Sequence, residues 1–407
     1  MRERWFLWKI WEKKLEHKLI ITRQNDRIFT VLFEDNRAVE IFADDVREKN
    51  ILGNIYVGKA ANVAKNIQAA FVEIEDGIPC YFSMADNPSP VFTKKTASSR
   101  IVAGDEFLVQ VSREGIKTKP PSVTSEISLS GKYLVLVTGD TKIHTSSKLP
   151  PSEAEQLLSV MEPFQNSGYG WILRTNASGV PAKTIRKEAV MLKETYQKIL
   201  DTASHRTARS CVYRNPPLWL SRLKDIYSSK CSDILTDDRE LFERLSEYLE
   251  TYQPEDTGKL SFYHDRMLPL AKLYPVEAAI NEALKERVWL KSGAYLVIQP
   301  TEALTAIDVN TGKYERGKKA EETFFKINLE AAAEIARQLR LRNLSGIILI
   351  DFINMKSQAQ REELMKRLDG FLRSDPVKAC VVDMTALGLV EVTRKRRERP
   401  LAEKLKG

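Results

Sequence analysis

The sequence predicts a multidomain protein that combines α/β and α+β folds. Its 407 residues are enough for about two to four domains. Short strand-like runs broken by Gly, Pro and Asn fill residues 53–114, a pattern typical of a small barrel. From residue 293 onward apolar runs alternate with amphipathic helical stretches, which predicts an α/β sheet with parallel pairing and right-handed crossovers.

Composition narrows the class of protein. Hydrophobic residues make up 43% of the chain and charged residues 29%, which fits a globular protein and excludes collagen-like or disordered chains. Lys and Arg number 63 against 55 Asp and Glu, so the formal charge of +8 favours a polyanionic partner. No apolar run reaches the roughly 18 residues of a spanning helix, and no signal peptide is visible. We therefore expect a cytoplasmic protein.

Scattered cysteines and histidines exclude several kinds of site. The four cysteines form no C-x-x-C pair, so neither a disulfide framework nor a zinc site within one chain is expected. The four histidines share no motif spacing, which argues against a His-based triad or a zinc protease.

The N-terminal extension, residues 1–17, reads as a helix with Trp5, Trp8 and Trp11 on one stripe among basic residues. We favour packing of this helix on the body of the protein. The alternative is weak contact with the inner face of a membrane.

The remaining elements follow in chain order. Residues 18–43 contain three strand-like runs separated by turns at Asn25-Asp26 and Asp35-Asn36, which predicts a meander. Residues 120–214 mix strands with helices, and residues 218–288 are mostly helical. A long helix is then expected at Glu321–Arg342, followed by the buried strand GIILIDF, a second helix and a further strand.

Two aspartates define the candidate catalytic site. Asp308 ends the apolar run that starts at Leu304, and Asp351 ends the run that starts at Ile347. On neighbouring parallel strands both carboxylates would emerge at the carboxyl edge of the sheet, where α/β folds place their sites. Strands about 5 Å apart would let both side chains bind one Mg²⁺ ion. Asn310 shares the face of Asp308 by strand alternation. The alternative is that each Asp only caps the following turn.

Two short patterns have plainer interpretations. Gly53–Ala60 matches G-x-x-x-x-G-K but ends in Ala, so it lacks the Mg²⁺-binding hydroxyl and is interpreted as a barrel strand. The basic run Arg394–Arg397 is either part of a groove for a polyanionic backbone or a solvated surface.

Aromatic residues on consecutive barrel strands suggest nucleic-acid binding. Phe71 and Tyr81 lie near Lys59, and aromatic platforms with basic neighbours stack single-stranded bases. The alternative is that these rings belong to the barrel core.

Several long motifs in one order resemble the ribonuclease E/G family. They are GNIYVGKAANV, IQAAFVEI, SLSGKYLVLV, GWILRT, the stretch from AIDVNTGKYERG to GIILIDFINM, and GLVEVTRKR, which together cover about residues 18–400. The resemblance implies an RNase H-like subdomain that is split by an S1 (OB-type) barrel and a 5′-sensor, then a DNase I-like catalytic subdomain. The implied boundaries are 18–50 with 215–285 (RNase H-like), 51–119 (S1), 120–214 (5′-sensor), 286–400 (catalytic) and 401–407 (tail).

The resemblance also assigns site residues. Asp308 and Asp351 resemble the family's Mg²⁺ ligands, with Asn310 as their polar partner. Arg174 and Thr175 resemble the pocket for a 5′-monophosphate, where a guanidinium binds phosphate bidentately. The S1 stacking positions correspond to Phe71 and Tyr81, although we expect Phe at the second.

Three departures from the family pattern limit what the resemblance implies, and the first is that residues 1–17 have no counterpart in the family core. No C-P-x-C element follows the predicted catalytic subdomain, so no structural zinc is expected; either a homo-oligomer bridged by metal is not expected, or the sequence is truncated before that element. The basic pair expected in the sensor loop is replaced by residues 143–147, Ile-His-Thr-Ser-Ser, which weakens the expectation of 5′-end sensing.

The sequence therefore predicts a Mg²⁺-dependent endoribonuclease, with Mn²⁺ as an alternative ion. It would cut single-stranded RNA with metal-activated water and leave 5′-phosphate and 3′-hydroxyl ends, in RNA processing and decay. One alternative is a non-catalytic S1-type RNA-binding or ribosome-associated factor. Another is a nuclease that forms cyclic phosphates by His or Lys acid–base chemistry.

Overall fold

The computed structural model describes residues 17–46, 50–96, 98, 100–115, 119–225, 231–265, 267–312 and 320–406. The helix predicted for residues 1–17, with its three tryptophans, lies outside the described residues except for His17, which begins the first strand.

The strands and helices are numbered in chain order. The strands are β1 (His17–Gln24), β2 (Arg27–Glu34), β3 (Arg37–Asp45), β4 (Ile55–Ala64), β5 (Ala69–Glu73), β6 (Pro79–Ser83), β7 (Phe92–Lys94), β8 (Glu106–Arg113), β9 (Ser122–Thr124), β10 (Ser128–Ser130), β11 (Leu134–Val137), β12 (Ile143–Thr145), β13 (Gly170–Leu173), β14 (Cys211–Tyr213), β15 (Cys231–Thr236), β16 (Leu260–Phe262), β17 (Arg287–Trp289), β18 (Tyr295–Pro300), β19 (Leu304–Asn310), β20 (Gly346–Asp351), β21 (Ala379–Met384) and β22 (Val390–Arg394). The helices are α1 (Pro151–Met161), α2 (Ala182–Ser204), α3 (Leu218–Ser221), α4 (Arg239–Tyr252), α5 (Leu270–Leu273), α6 (Val276–Leu284), α7 (Ala320–Leu341), α8 (Gln358–Leu372) and α9 (Leu401–Lys406). Within the described ranges, no helix is long and apolar enough to cross a bilayer.

The chain forms two compact units, Lys49–Ser228 and Met1–Glu48 with Ser229–Gly407. In the first unit, β4, β5, β6, β9 and β8 pair in turn and close through β4–β8, with β14 and β7 added at the sides. The predicted barrel is thus confirmed, and the stretch from Gly53 to Ala60 enters its strand β4. An added Cβ at Gly58 would lie 2.5 Å from Val72, because this strand packs tightly on the barrel core.

A buried carboxylate organises the loop between β7 and β8 of the barrel. Asp105 accepts hydrogen bonds from Lys95 Nζ (2.7 Å) and from the backbone N–H groups of Thr96 (2.9 Å) and Val102 (2.9 Å). Burial alone would raise the pKa of Asp105, but these donors outweigh it and lower the pKa to about 2.

The rest of the first unit is a four-stranded sheet in the order β10-β11-β13-β12. Helix α2 presents a buried stripe that includes Ile185, Ala189, Leu192 and Ile199, spaced as one face of a helix requires. These residues share one core with Trp171 of β13, which is fully buried.

The second unit contains two sheets. The first has the order β16-β15-β1-β2-β3, and its β1–β2–β3 meander turns at residues with positive φ, Asn25 (55°) and Asn36 (61°). Helix α7 connects the meander with the second sheet through ion pairs, of which Arg340 with Glu40 (2.8 Å) is the most buried. Helix α9 begins at Leu401, which is buried in the core beside the meander, so residues 401–406 are packed rather than a loose tail.

The second sheet has the order β17-β18-β19-β20-β22-β21. Helices α7 and α8 cover one face, with Ile327, Ala331, Ile335 and Leu364 buried against it. The expectation of parallel pairing was only partly right, since β19–β20 is the sole parallel pair described in this sheet. Strands β21 and β22 form a hairpin that turns at Gly388 (φ +87°) and places β22 antiparallel beside β20.

Candidate active site

The two aspartates meet at the parallel pair of the six-stranded sheet. Asp308 of β19 and Asp351 of β20 are register partners, so their Cα atoms lie about 5 Å apart. Both side chains are exposed, while Ile307, Val309 and Ile350 beside them are buried. Strand alternation therefore brings the two carboxylates together on the sheet face opposite α7 and α8.

Asn310 completes this group. Its Nδ2 donates a hydrogen bond of 2.7 Å to Oδ2 of Asp308, which orients that carboxylate. The chain then turns at Gly312, whose φ of +66° and close approach to the Gly293 carbonyl leave no room for a side chain: an added Cβ would lie 2.4 Å from that oxygen. Within the described ranges, this site included, no group of three or more His, Cys, Asp or Glu side chains is arranged to hold a metal ion, so the site offers two carboxylates and one amide.

The chemistry of this group suits a hard divalent cation. Carboxylate and amide oxygens are the ligands that Mg²⁺ prefers, and a site with two carboxylates leaves coordination positions for water and phosphate. The pair is also held on rigid strands rather than on loops, which favours a defined geometry.

Phe71 and Tyr81 lie together on the outside of the barrel. They are register partners on β5 and β6, their ring centroids are 6.5 Å apart at 78°, and both rings are partly exposed. The neighbouring Phe82 points inward and is fully buried, so core packing and outward display alternate along β6.

Lys59 also points outward, among side chains of both charges. Its register partners on the two adjoining strands are Glu73 and Glu106. Glu73 is ion-paired with Arg209, and Glu106 lies 4.0 Å from Lys94 Nζ, so each carboxylate already has a cationic partner.

Arg174 and Thr175 are already engaged within the protein. Arg174 donates from Nη1 to the carbonyl of Gly131 (2.7 Å) and from Nη2 to the carboxylate of Asp225, while Thr175 Oγ1 is 2.9 Å from Ser146 Oγ. The structure thus brings the two predicted pocket residues together, and it adds a carboxylate that the sequence did not point to.

A second carboxylate lies next to this group. Glu188 of α2 accepts hydrogen bonds from the backbone N–H groups of Lys132 (2.6 Å), Tyr133 (2.8 Å) and Leu134 (2.8 Å). Burial raises the pKa of Glu188 in spite of these donors. Gly131 permits the close approach, because an added Cβ would lie 2.5 Å from the Glu188 carboxyl carbon.

Lys224 adds a positive charge to the same region. Its Nζ donates to the carbonyl of Ser130 (3.1 Å), and burial lowers the pKa of its ammonium group. Arg174 and Lys224 therefore face the carboxylates of Asp225 and Glu188, so formal charges of both signs surround the predicted phosphate pocket.

Arg394 corrects one interpretation of the basic run. Its side chain is only 4% exposed and pairs with buried Asp375, with Nε 2.7 Å from Oδ2, so Arg394 supports the fold and does not face a ligand. Lys395, Arg396 and Arg397 are exposed. The sequence could not separate them, because only alternation along β22 turns Arg394 inward.

Comparison with known proteins agrees with this architecture. The Ribonuclease E/G family profile matches residues 128–397. Ribonuclease G of Escherichia coli K12 is 36% identical over 368 residues, which cover 88% of this chain and 75% of that protein. The chain belongs to the ribonuclease E/G family.

Other relatives extend the match. Ribonuclease G of Haemophilus influenzae is 34% identical over 387 residues, covering 92% of this chain and 78% of that protein. Ribonuclease E of Nostoc sp. PCC 7120 is 34% identical over 392 residues, covering 95% of this chain and 57% of its own length. The residues matched by the ribonuclease E/G family profile include the aspartate pair and the Arg174–Thr175 segment.

Sequence reasoning missed one feature of the catalytic sheet. Arg287, Trp289 and Tyr295 stand on the same face as the aspartates. Their signal was the alternation R-V-W and Y-L-V around a short hairpin turn, which places polar and aromatic side chains opposite the buried Val288 and Leu296.

Proposed function

We propose that this member of the ribonuclease E/G family is a Mg²⁺-dependent endoribonuclease that hydrolyses single-stranded RNA and leaves 5′-phosphate and 3′-hydroxyl ends. Endoribonuclease activity in RNA processing follows from family membership. The metal ion, the preference for single strands and the end chemistry are the proposal. The observation that supports it is the register pairing of Asp308 with Asp351 on adjacent parallel strands.

The residues at this point fit a divalent ion. Asp308 and Asp351 would hold it, and Asn310 would keep the Asp308 carboxylate oriented through the 2.7 Å hydrogen bond. When bound, Mg²⁺ lowers the pKa of a coordinated water and neutralises charge on the scissile phosphate, and Mn²⁺ supplies the same chemistry. Without an ion, two carboxylates on one face would repel a phosphodiester, so the same residues make RNA cleavage depend on a cation.

The barrel supplies a second contact with the strand. Phe71 and Tyr81 present partly exposed rings on which bases of an unpaired strand can stack, and Lys59 lies one step along the same face. A base in a duplex is already stacked and paired, which is why such a surface prefers single strands.

We propose that Arg174 and Thr175 bind a 5′-phosphate only weakly. A phosphate at Arg174 and Thr175 must share or displace the Asp225 carboxylate that already pairs with the guanidinium. Wild-type protein should therefore cut RNA with a 5′-hydroxyl nearly as well as RNA with a 5′-monophosphate.

Cleavage of a labelled, unstructured oligonucleotide tests the proposal. Wild type should cut the oligonucleotide in Mg²⁺ and should not cut it in EDTA. The downstream product should carry a 5′-phosphate, which a phosphatase removes and an RNA ligase accepts. Asp308→Asn and Asp351→Asn should each cut at least about 100-fold more slowly, which is the usual loss when a group that stabilises the transition state is removed. Both variants should still bind RNA. Asp383→Asn is the matched control, because this exposed carboxylate of the same sheet lies on β21, separated from β20 by β22.

Two results would contradict the proposal, and each would indicate a different function. RNA that is bound but stays intact in Mg²⁺ would indicate a non-catalytic RNA-binding factor. Products with 2′,3′-cyclic phosphate, formed equally in EDTA, would indicate acid–base chemistry without a metal ion.

A further inference from the structure

An exposed tryptophan stands on the open face of the catalytic sheet. Trp289 of β17 is 62% exposed, and its register partner on β18 is Tyr295, with ring centroids 5.1 Å apart. The guanidinium of Arg287 lies over both rings, 4.5 Å from the centroid of Tyr295 and 5.9 Å from that of Trp289. We call Arg287, Trp289 and Tyr295 the aromatic platform.

Strand register connects the aromatic platform directly with the aspartate site. Tyr295 pairs with Asn310, and Val297, the next outward residue of β18, pairs with Asp308. Neighbouring strands are about 4.8 Å apart, which places Tyr295 about 5 Å and Trp289 about 10 Å from Asn310, measured between Cα atoms. The platform and the carboxylates therefore form one continuous surface.

The hairpin that presents these rings is held in place. Its turn closes with hydrogen bonds from Leu290 N to Ala294 O (2.8 Å) and from Gly293 N to Leu290 O (3.0 Å). Lys291 N donates to Glu330 of α7 (2.7 Å), and the Gly293 carbonyl packs on Gly312 at the end of the catalytic strand. The rings thus have a fixed position relative to Asp308.

We propose that the aromatic platform binds one base of the RNA substrate by stacking, about one or two nucleotides from the phosphate that is cut. This proposal rests on the ribonuclease function proposed above and adds a subsite to it. A large exposed ring offers apolar area to any base, and the adjacent guanidinium both stiffens the ring pair and attracts the RNA backbone. A stacked base would hold the strand across β18 and β19 and present the neighbouring phosphodiester to the aspartates.

A protein partner is a less fitting occupant of this surface. The strands next to the platform present Asp308, Asn310 and Asp351 toward the same side, and a partner that covered Trp289 would crowd those carboxylates. A flexible single strand contacts the ring with one base and leaves the carboxylates accessible.

Binding to a variant that does not cut tests the platform while the cation is present. In Mg²⁺, the dissociation constant of a short unstructured oligonucleotide is compared for Asp308→Asn alone and for Asp308→Asn combined with Trp289→Ala, Trp289→Phe or the control Tyr252→Ala, which removes a 38% exposed aromatic from helix α4. Trp289→Ala should weaken binding about five- to 150-fold, the measured range for one base–aromatic stack. Trp289→Phe should retain most of the affinity, and Tyr252→Ala should leave the affinity of Asp308→Asn unchanged.

Cleavage of substrates with single abasic nucleotides locates the base. At one position close to the cut, loss of the base should slow wild type, but it should not slow Trp289→Ala any further, because the ring that binds that base is already gone. If the abasic and Trp289→Ala effects multiply at every position, or if Trp289→Ala binds RNA as wild type does, the proposal is overturned.

These outcomes are separate from a failure of the ribonuclease function. A protein that binds RNA through Trp289 but never cuts would refute the nuclease and keep the platform as a binding surface. A protein that cuts RNA, and whose Trp289→Ala variant binds and cuts RNA as wild type does, would support the nuclease and refute the platform. Dissociation of an oligomer by Trp289→Ala in sedimentation, with unchanged RNA binding, would assign the ring to contact between copies and overturn the proposal.

Discussion

Replacing Arg394 with Ala should strongly destabilise the unit that contains the catalytic sheet. Arg394 lies at the end of β22 and makes four hydrogen bonds: Nε to Asp375 Oδ2 (2.7 Å), Nη2 to Asp375 Oδ1 (3.3 Å), Nη1 to Asn343 Oδ1 (2.9 Å) and Nη1 to the Leu344 carbonyl (2.9 Å). These bonds tie the loop after α8 and the turn after α7 to β22, the strand between β20 and β21.

The magnitude follows from burial. The Arg394 and Asp375 side chains are only 4% and 2% exposed, so Arg394→Ala removes the guanidinium that is paired with a buried carboxylate. Breaking a buried pair from one side costs about 3–5 kcal/mol. Arg394→Lys keeps the charge but cannot reach all three acceptor groups with one ammonium, so it should lose about 1–3 kcal/mol.

Urea unfolding followed by circular dichroism measures these losses. Arg396→Ala is the matched control, because this residue is exposed on the same basic run and should change stability by less than about 0.5 kcal/mol. If Arg394→Ala costs under about 1 kcal/mol and resembles the control, the buried-pair interpretation is wrong. The salt dependence of RNA binding offers a second contrast. Removing an exposed arginine that contacts a phosphate lowers this dependence, whereas removal of the buried Arg394 should leave it unchanged.

Three further predictions concern the first unit. Phe71→Ala and Tyr81→Ala should each weaken binding of single-stranded RNA about five- to 150-fold in a fluorescence-anisotropy titration and leave duplex binding unchanged; equal losses on both substrates would contradict stacking. Asp225→Asn should release Arg174 and raise about tenfold the ratio of the cleavage rate of 5′-monophosphate RNA to that of 5′-hydroxyl RNA, since a charged hydrogen bond contributes about 1.5–3 kcal/mol. An added Arg174→Ala should erase that gain. An unchanged ratio in Asp225→Asn would contradict competition between Asp225 and the phosphate for the guanidinium. Because the pKa of Asp105 is lowered to about 2, its ionised carboxylate contributes about 2 kcal/mol to the free energy of unfolding above the unfolded pKa near 4, and this contribution is lost as pH falls toward 2. The stability of Asp105→Asn should therefore fall less between about pH 4 and pH 2 than that of wild type. Equal losses of stability over this range would contradict the prediction.

The aspartate pair was predictable because its pattern is local. Each residue ends an apolar run, and strand alternation sends it to the face opposite the neighbouring buried residues, so only the adjacency of β19 and β20 had to be assumed. The barrel was predictable for a similar reason, since short strands and turn residues recur along residues 53–114.

The features that could not be predicted from the sequence depend on contacts between distant segments. The insertion of β22 between β20 and β21 is a choice of strand order that periodicity does not encode. The burial of Arg394 requires Asp375 to arrive from another loop, and the pairing of Arg174 with Asp225 joins residues 51 positions apart. Trp289 resembled an ordinary strand residue until the hairpin register placed it beside Asn310.

Electron paramagnetic resonance counts bound Mn²⁺ without relying on cleavage, so it asks directly whether Asp308 and Asp351 hold one ion. One ion per chain should bind to wild type, and Asp308→Asn and Asp351→Asn should each weaken that binding by at least about tenfold, since affinity depends on the number of charged ligands. Asp383→Asn should bind as wild type. Wild-type affinity in either single variant of the pair would show that Asp308 and Asp351 do not hold a common ion.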